Sequence, residues 1–240
     1  MNRTGLGRRL AAEAVGTAAL VAVVVGSGVQ ADRLSGDGGV ELLANSLATV
    51  LGLGVLIALF GPVSGAHFNP VVTAAAWWHG RASAETIGYV GAQVAGAIGG
   101  AVLANAMFGL PPVTWSGHER FAAHLWLAEA VATAGLILLV TGLARADRGR
   151  LAAPAVAAYI GAAYWFTSST GFANPAVTIG RAFTDTYAGI APGSVAPFVA
   201  AQMVGGFIGI GLAAILFPRA AAGDRPAEDG VSALISKGNA

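Results

Sequence analysis

The sequence predicts an all-α membrane protein: six transmembrane helices plus two half-helices in an inverted 3+3 repeat. Three observations predict it. The chain is 55% hydrophobic and only 10% charged, too apolar for a soluble domain and usual for a multi-span membrane protein. Two Asn-Pro boxes, Asn69-Pro70-Val71 and Asn174-Pro175-Ala176, each follow a Gly-containing loop and open a short helical pattern. Blocks of sequence also recur in one order and at nearly one spacing. Residues 12–15 match 128–131, Asn69-Pro70 matches Asn174-Pro175, and residues 91–96 resemble 200–206. Each half then holds three spans and a half-helix. An odd number of spans turns the second half over, so the half-helices enter from opposite faces and their Asn tips meet near the midplane.

Each element has its own signal. Residues 10–29 form the first span, after a short N-terminal segment, residues 1–9. Arg8-Arg9 before an apolar run also fits an export signal, but Glu13 recurs as Glu129 in a matching context, which a removable leader has no reason to share. Residues 30–39 are a polar loop and 40–60 the second span. After the loop 61–68, residues 69–78 form the first half-helix, where Asn caps orphan N–H groups and Pro suits the first helical position. Residues 87–108 are the third span and close the first repeat, 10–108. The connecting loop 109–120 carries Pro111-Pro112 and Trp115. The second repeat, 121–217, holds spans at 121–143, 151–166 and 195–217, with a half-helix at 174–183. A polar tail, 218–240, ends the chain. Many of the 35 glycines fall inside the apolar runs, as close helix packing in lipid requires.

Lys and Arg set the expected orientation. With the N-terminus inside, the inner side carries Arg3, Arg8, Arg9, Arg81, Arg145, Arg148, Arg150, Arg219, Arg225 and Lys237, and the outer side only Arg33, Arg120 and Arg181. Both termini are therefore expected in the cytoplasm of a cell membrane, on the pattern of a bacterial inner membrane.

Several chemistries are excluded. The chain has no Cys, hence no disulfide and no thiolate ligand or nucleophile. Net charge is +1 with no basic stripe, so a nucleic acid partner is not expected. His67, His79, His118 and His124 lack metal-ligand spacing, and no nucleophile–base pair or phosphate loop is present. No cofactor and no enzymatic activity are expected.

What remains is a pathway. Two opposed helix N-termini create a positive maximum at mid-membrane. Asn69 and Asn174 would donate side-chain N–H groups to a passing oxygen, and the loops before them would offer carbonyls. Unpaired backbone at that depth is tolerated only when buried or facing a water-filled cavity. Glu13 and Glu129, charged residues within spans, are read as acceptors for the backbone of the nearby Asn-Pro loops rather than as a proton relay. Gln93 and Gln202 are read as interhelical hydrogen-bond partners. His67 either lines the inner part of the pathway or is a satisfied structural group. Trp77, Trp78, Trp115 and Trp126 are candidate interface anchors.

The motifs AEAVGT with AEAVAT, SGAHFNPVV and TGFANPAVTIGR, which together span about residues 8–217, resemble the major intrinsic proteins, the aquaporin and aquaglyceroporin family. Exclusion of protons and cations by the positive ends of half-helices is an established property of aquaporin-type pores. The resemblance implies a homotetramer in the lipid bilayer with one pore per subunit. Val71 departs from the family's usual Asn-Pro-Ala. The resemblance also places a selectivity filter at Thr49, Ala162, Gly171 and Val177, where a one-residue gap would exchange Gly161 for Ala162 or Phe172 for Gly171. In most members an Arg follows the second box where this chain has Val177. The expectation is a wide, weakly polar filter without fixed charge. Arg181, one turn further at about 6 Å, either stands in for that Arg in the outer vestibule or snorkels to the interface or pairs with Asp185.

The function expected is passive passage of small uncharged solutes. The stretch ANPAVTIGRAFTDTYAGIAP is most similar to bacterial aquaglyceroporins associated with arsenic resistance, which implies glycerol-like polyols and neutral metalloid hydroxides such as arsenite, with methylated arsenicals and water besides. The alternatives are a water-selective aquaporin, an ion-coupled secondary transporter, and a junction or scaffold protein that passes nothing.

Overall fold

The computed structural model describes residues 5–78 and 83–217. The expected tail 218–240, and the orientation residues Arg3, Arg81, Arg219, Arg225 and Lys237 with His79, lie outside the described residues.

Helices carry the whole described fold. In order they are α1 (Leu6–Leu34), α2 (Gly38–Ser64), α3 (Pro70–Trp78), α4 (Ser83–Met107), α5 (Ala123–Arg145), α6 (Ala152–Phe166), α7 (Pro175–Gly180) and α8 (Pro192–Leu216), with 3₁₀ turns at Gly149–Leu151 and Arg181–Phe183. Five of them, α1, α2, α4, α5 and α8, are long and apolar enough to cross a membrane. The fifth expected span is shorter than that: α6 has 15 residues, about 22 Å at 1.5 Å per residue. The half-helix expected over 174–183 likewise divides into α7 and the 3₁₀ turn after it.

Helix ends follow local chemistry. Asp37 caps α2 by accepting from Gly39 N and Val40 N. Gly65, at φ 94°, ends α2 in the left-handed region that only Gly adopts without cost. Asn174 caps α7 by accepting from Ala176 N and Val177 N, with Pro175 in its first turn.

The two halves pack by the same rule. α1 lies along α4, and α5 lies along α8. A Cβ on Gly96 would strike the Ala14 carbonyl, and one on Gly205 would strike the Ala130 carbonyl. Close backbone approach substitutes for the hydrophobic effect, which does not operate between helices in lipid. The α2–α6 contact closes the bundle across the halves, and α3 and α7 meet in the middle. The surface outside carries the long apolar side chains, such as Leu51, Val55, Leu59, Phe207 and Ile215. Trp77, Trp78 and Trp115 are also exposed. Trp126 instead packs edge-on to Phe121 at 5.0 Å.

Candidate functional site

The boxes meet. Asn69 Nδ2 donates to the Ala173 carbonyl at 2.7 Å, and Asn174 Nδ2 donates to the Phe68 carbonyl at 2.7 Å. Each Asn Oδ1 meanwhile accepts from its own helix, Asn69 from Val71 N at 2.9 Å and Asn174 from Ala176 N at 3.0 Å. An amide NH₂ has two hydrogens. One holds the opposite loop, and the other is left for the cavity that both residues line. Pro70, Pro175, Val71 and Ala176 are buried beneath them. Val71 packs on α8, where a Cβ on Gly206 would strike its side chain.

The loops that deliver the boxes are strained in the same pattern. Ala66 and Phe68 have φ 48° and 50°; Gly171 and Ala173 have φ 57° and 47°. Left-handed backbone costs a non-Gly residue roughly 1–2 kcal/mol. Two buried carboxylates hold it. Glu13 accepts from Ser64 Oγ (2.6 Å), His67 N (3.0 Å), Phe68 N (2.7 Å) and Gln93 Nε2 (2.8 Å). Glu129 accepts from Phe172 N (2.9 Å), Ala173 N (2.8 Å) and Gln202 Nε2 (2.6 Å). The glutamines extend the pattern: Gln93 also donates to Thr73 Oγ1 and Gln202 to Thr178 Oγ1, each at 2.9 Å. Thr73 and Thr178 in turn donate to the carbonyls of Asn69 and Asn174. So carboxylate, amide, hydroxyl and box form one chain of bonds, present once in each half.

A cavity of ≈ 480 Å³ runs past the boxes. Arg145, Ala144 and Ala152 lie at one end of its lining, and Thr49, Tyr164, Phe172 and Arg181 at the other. Most of the wall is aliphatic, from Leu20, Val24, Leu53, Val140, Val156 and Ile160. His67 lines it too, with Nδ1 3.0 Å from Thr73 Oγ1 and its ring centroid 5.4 Å from that of Tyr89.

Thr49, Gly171 and Val177 all line the Arg181 end, together with Phe172. Ala162 does not: it is exposed on the far side of α6. Helical geometry explains the correction. Val156, Ile160 and Tyr164 recur every four residues and so share the cavity-facing stripe. Ala162 sits halfway round. Tyr164 is the residue that spacing missed; its hydroxyl lies 3.1 Å from Thr49 Oγ1.

The expectation of an uncharged filter also changes. Arg181 is 3% exposed and lines the cavity. Its Nε donates to the Ala188 carbonyl, and its Cζ stands 3.4 Å from the Phe172 ring centroid. Buried in this way Arg181 does not snorkel, and among the described residues it forms no ion pair with Asp185, whose Oδ1 accepts from Gly117 N at 2.9 Å. Arg120, from the connecting loop, donates through Nε to the Gly189 carbonyl at 3.1 Å. Burial lowers its guanidinium from the ordinary value, and the Glu129 charge partly offsets that. At the other end, Arg145 Nη1 donates to the carbonyls of Ala213 (2.7 Å) and Phe217 (2.6 Å), closing the last turn of α8. Among the described residues no group of three His, Cys, Asp or Glu side chains is placed to hold a metal.

Known proteins resemble this chain in sequence and in fold. Residues 1–172 match the family model described as major intrinsic protein. The chain is 48% identical over 214 residues to aquaglyceroporin AqpS of Rhizobium meliloti (strain 1021), covering 88% of this chain and 91% of that one. It is 36% identical over 151 residues to aquaporin Z of Photorhabdus laumondii, covering 56% and 64%. Among solved structures, the aquaglyceroporin from Plasmodium falciparum matches with TM-score 0.68 over 87% of this chain and 95% of that chain, at 20% identity, a likeness of fold. A bundle of membrane-length helices around two joined Asn-Pro boxes, and a family match over most of its length, make this chain a multi-pass membrane protein of the major intrinsic protein family, a family of channels and not of enzymes.

Proposed function

We propose that this chain is a passive channel for small uncharged solutes, taking glycerol-like polyols and neutral metalloid hydroxides such as arsenite, with methylated arsenicals and water as further permeants. The observation that carries the proposal is the lining of the cavity. One wall is aliphatic, and facing it stand the spare amide hydrogens of Asn69 and Asn174. A solute with hydroxyl groups along one edge and little charge meets both needs. Val177 supports the wide reading, since it is compact where most relatives carry Arg. Tyr164 and Arg181 add polar contacts at that end, Arg181 standing in for the absent Arg from one turn away. In this reading Pro70, Val71, Pro175 and Ala176 form the box frames, and Thr49, Tyr164, Gly171, Phe172 and Val177 the filter. Glu13, Glu129, Gln93, Gln202 and His67 hold the loops.

The architecture proposed is six spans and two half-helices in two inverted repeats, residues 10–108 and 121–217, with both termini cytoplasmic and four subunits to an assembly. Support for the inversion comes from the matching bond chains of Glu13 and Glu129. The test is flux into proteoliposomes of water, glycerol and arsenite. Saturation-free uptake of glycerol or arsenite is expected; fast water flux with neither larger solute would defeat the wide-pore reading. A water-selective pore is the second reading, favoured by the bulk of Tyr164 and the charge of Arg181.

A further inference from the structure

Asn105 is a polar residue buried near the end of an apolar helix, α4, and 1% exposed. Its side chain is fully spent. Nδ2 donates to the Pro112 carbonyl at 3.1 Å and to the Phe183 carbonyl at 3.2 Å, and Oδ1 accepts from Thr184 Oγ1 at 2.6 Å. Pro112 belongs to the connecting loop 109–120, and Phe183 and Thr184 to the turn that follows α7. Two carbonyls cannot bond each other; an amide with two hydrogens joins them. From this joint the connecting loop runs along the turn. Thr114 N donates to the Phe183 carbonyl at 3.2 Å, Ser116 N to the Ala182 carbonyl at 3.1 Å, and Ala191 N to the His118 carbonyl at 2.7 Å.

The same turn seats Arg181. Its Nε donates to the Ala188 carbonyl, and its own carbonyl accepts from Ile190 N at 3.3 Å. Among the described residues Arg181 forms no ion pair. A guanidinium held by a backbone carbonyl goes where that backbone goes. Losing the amide at Asn105 would leave two buried carbonyls and the Thr184 hydroxyl short of a partner at the joint, a cost that moving the turn relieves. We infer that Asn105 is a positioning residue for solute selection: it ties the connecting loop to the turn after α7 and thereby sets where Arg181 stands in the cavity wall. The effect on solutes rests on the channel reading above; the tie itself does not.

Two measurements separate the tie from its consequence. The first is hydrogen–deuterium exchange, read by mass spectrometry on the detergent-solubilised full chain. Asn105→Asp keeps the shape and removes both hydrogens, so exchange over residues 182–191 should quicken about tenfold or more, while α1 and α5 keep wild-type rates. Thr184→Val should give a smaller rise, and Thr184→Ser, which retains the hydroxyl, none. Unchanged exchange in Asn105→Asp, or faster exchange spread evenly over the chain, overturns the tie. The second is the ratio of glycerol to water flux in proteoliposomes. Asn105→Asp should shift it about threefold or more in the same direction as Arg181→Ala, and add little when the two are combined. A residue that only supports the fold would lower the amount of active protein and leave the ratio alone. An unshifted ratio in Asn105→Asp or in Arg181→Ala, or effects that multiply in the double variant, overturns the positioning role. If Asn105→Asp yields no folded protein, Thr184→Val against Thr184→Ser decides both measurements. Wild-type proteoliposomes that pass neither solute would refute the channel reading, while the exchange measurement still decides the tie.

Discussion

Val177 and Arg181 stand four residues apart, and on the proposed reading they divide between them the role of a single filter Arg. Val177 leaves room beside the second box, and Arg181 brings charge at a distance from it. Val177→Arg should therefore cut glycerol flux by about tenfold or more, about 1.4 kcal/mol on the barrier, with water flux less affected; stopped-flow light scattering of proteoliposomes reads both. Glu13 and Glu129 act differently. Each carboxylate receives backbone N–H groups from a left-handed loop, so Glu129→Gln turns an acceptor into a donor facing Ala173 N. A loss of about 3–5 kcal/mol is expected, the scale of breaking a buried charged pair, seen as a lower melting temperature and yield in detergent. A well-folded Glu129→Gln protein with flux abolished would instead point to proton chemistry. The boxes, the carboxylates and the glutamines were legible in the sequence because they are duplicated. Ala162 was misplaced because α6 is apolar on every side, so counting along the chain cannot say which stripe faces inward. Tyr164 could have been found by that stripe, two residues on. Arg181 was ambiguous for another reason: its partners are carbonyls of a loop, Ala188 among them, and carbonyls leave no mark in side-chain composition.

The helices owe their pairing to bare backbone. Gly96 and Gly100 of α4 meet the carbonyls of Ala14 and Ala18, and Gly205 and Gly209 of α8 meet those of Ala130 and Ala134. Four-residue spacing keeps both contacts of a pair on one face. Gly99 is close in sequence but faces outward with nothing within 4 Å of an added Cβ. Gly96→Ala should destabilise the α1–α4 pair by about 1–3 kcal/mol, the cost of overpacking. Gly99→Ala should be neutral or stabilising by up to about 1 kcal/mol through helix propensity. Thermal unfolding of the two variants side by side separates the glycines; equal effects would show that packing is not set by this contact. Span existence was legible from apolar runs, and so were the bounds of α6: the expected 151–166 differs from Ala152–Phe166 only by Leu151, which the 3₁₀ turn Gly149–Leu151 takes.

The whole molecule is two copies of one plan facing opposite ways, on the proposed topology. That topology fixes which loops meet which side. The chain has no Cys, so single cysteines report cleanly. Gly36 and Gly149 are exposed, and an added Cβ meets nothing at either. Gly36→Cys should label with an impermeant maleimide from outside intact cells, and Gly149→Cys only after permeabilisation. The reverse pattern would turn the protein over and exchange the Arg145 and Arg181 ends of its cavity. The reciprocal bonds from Asn69 to Ala173 and from Asn174 to Phe68 carry a further consequence. A rocking carrier works by letting its halves swing about a central substrate. Here the two halves are stitched together by the same two amides that a solute would touch on the proposed pathway, so any swing would tear out the groups it needs. The molecule is built to stay open at the waist and let its cargo do the moving.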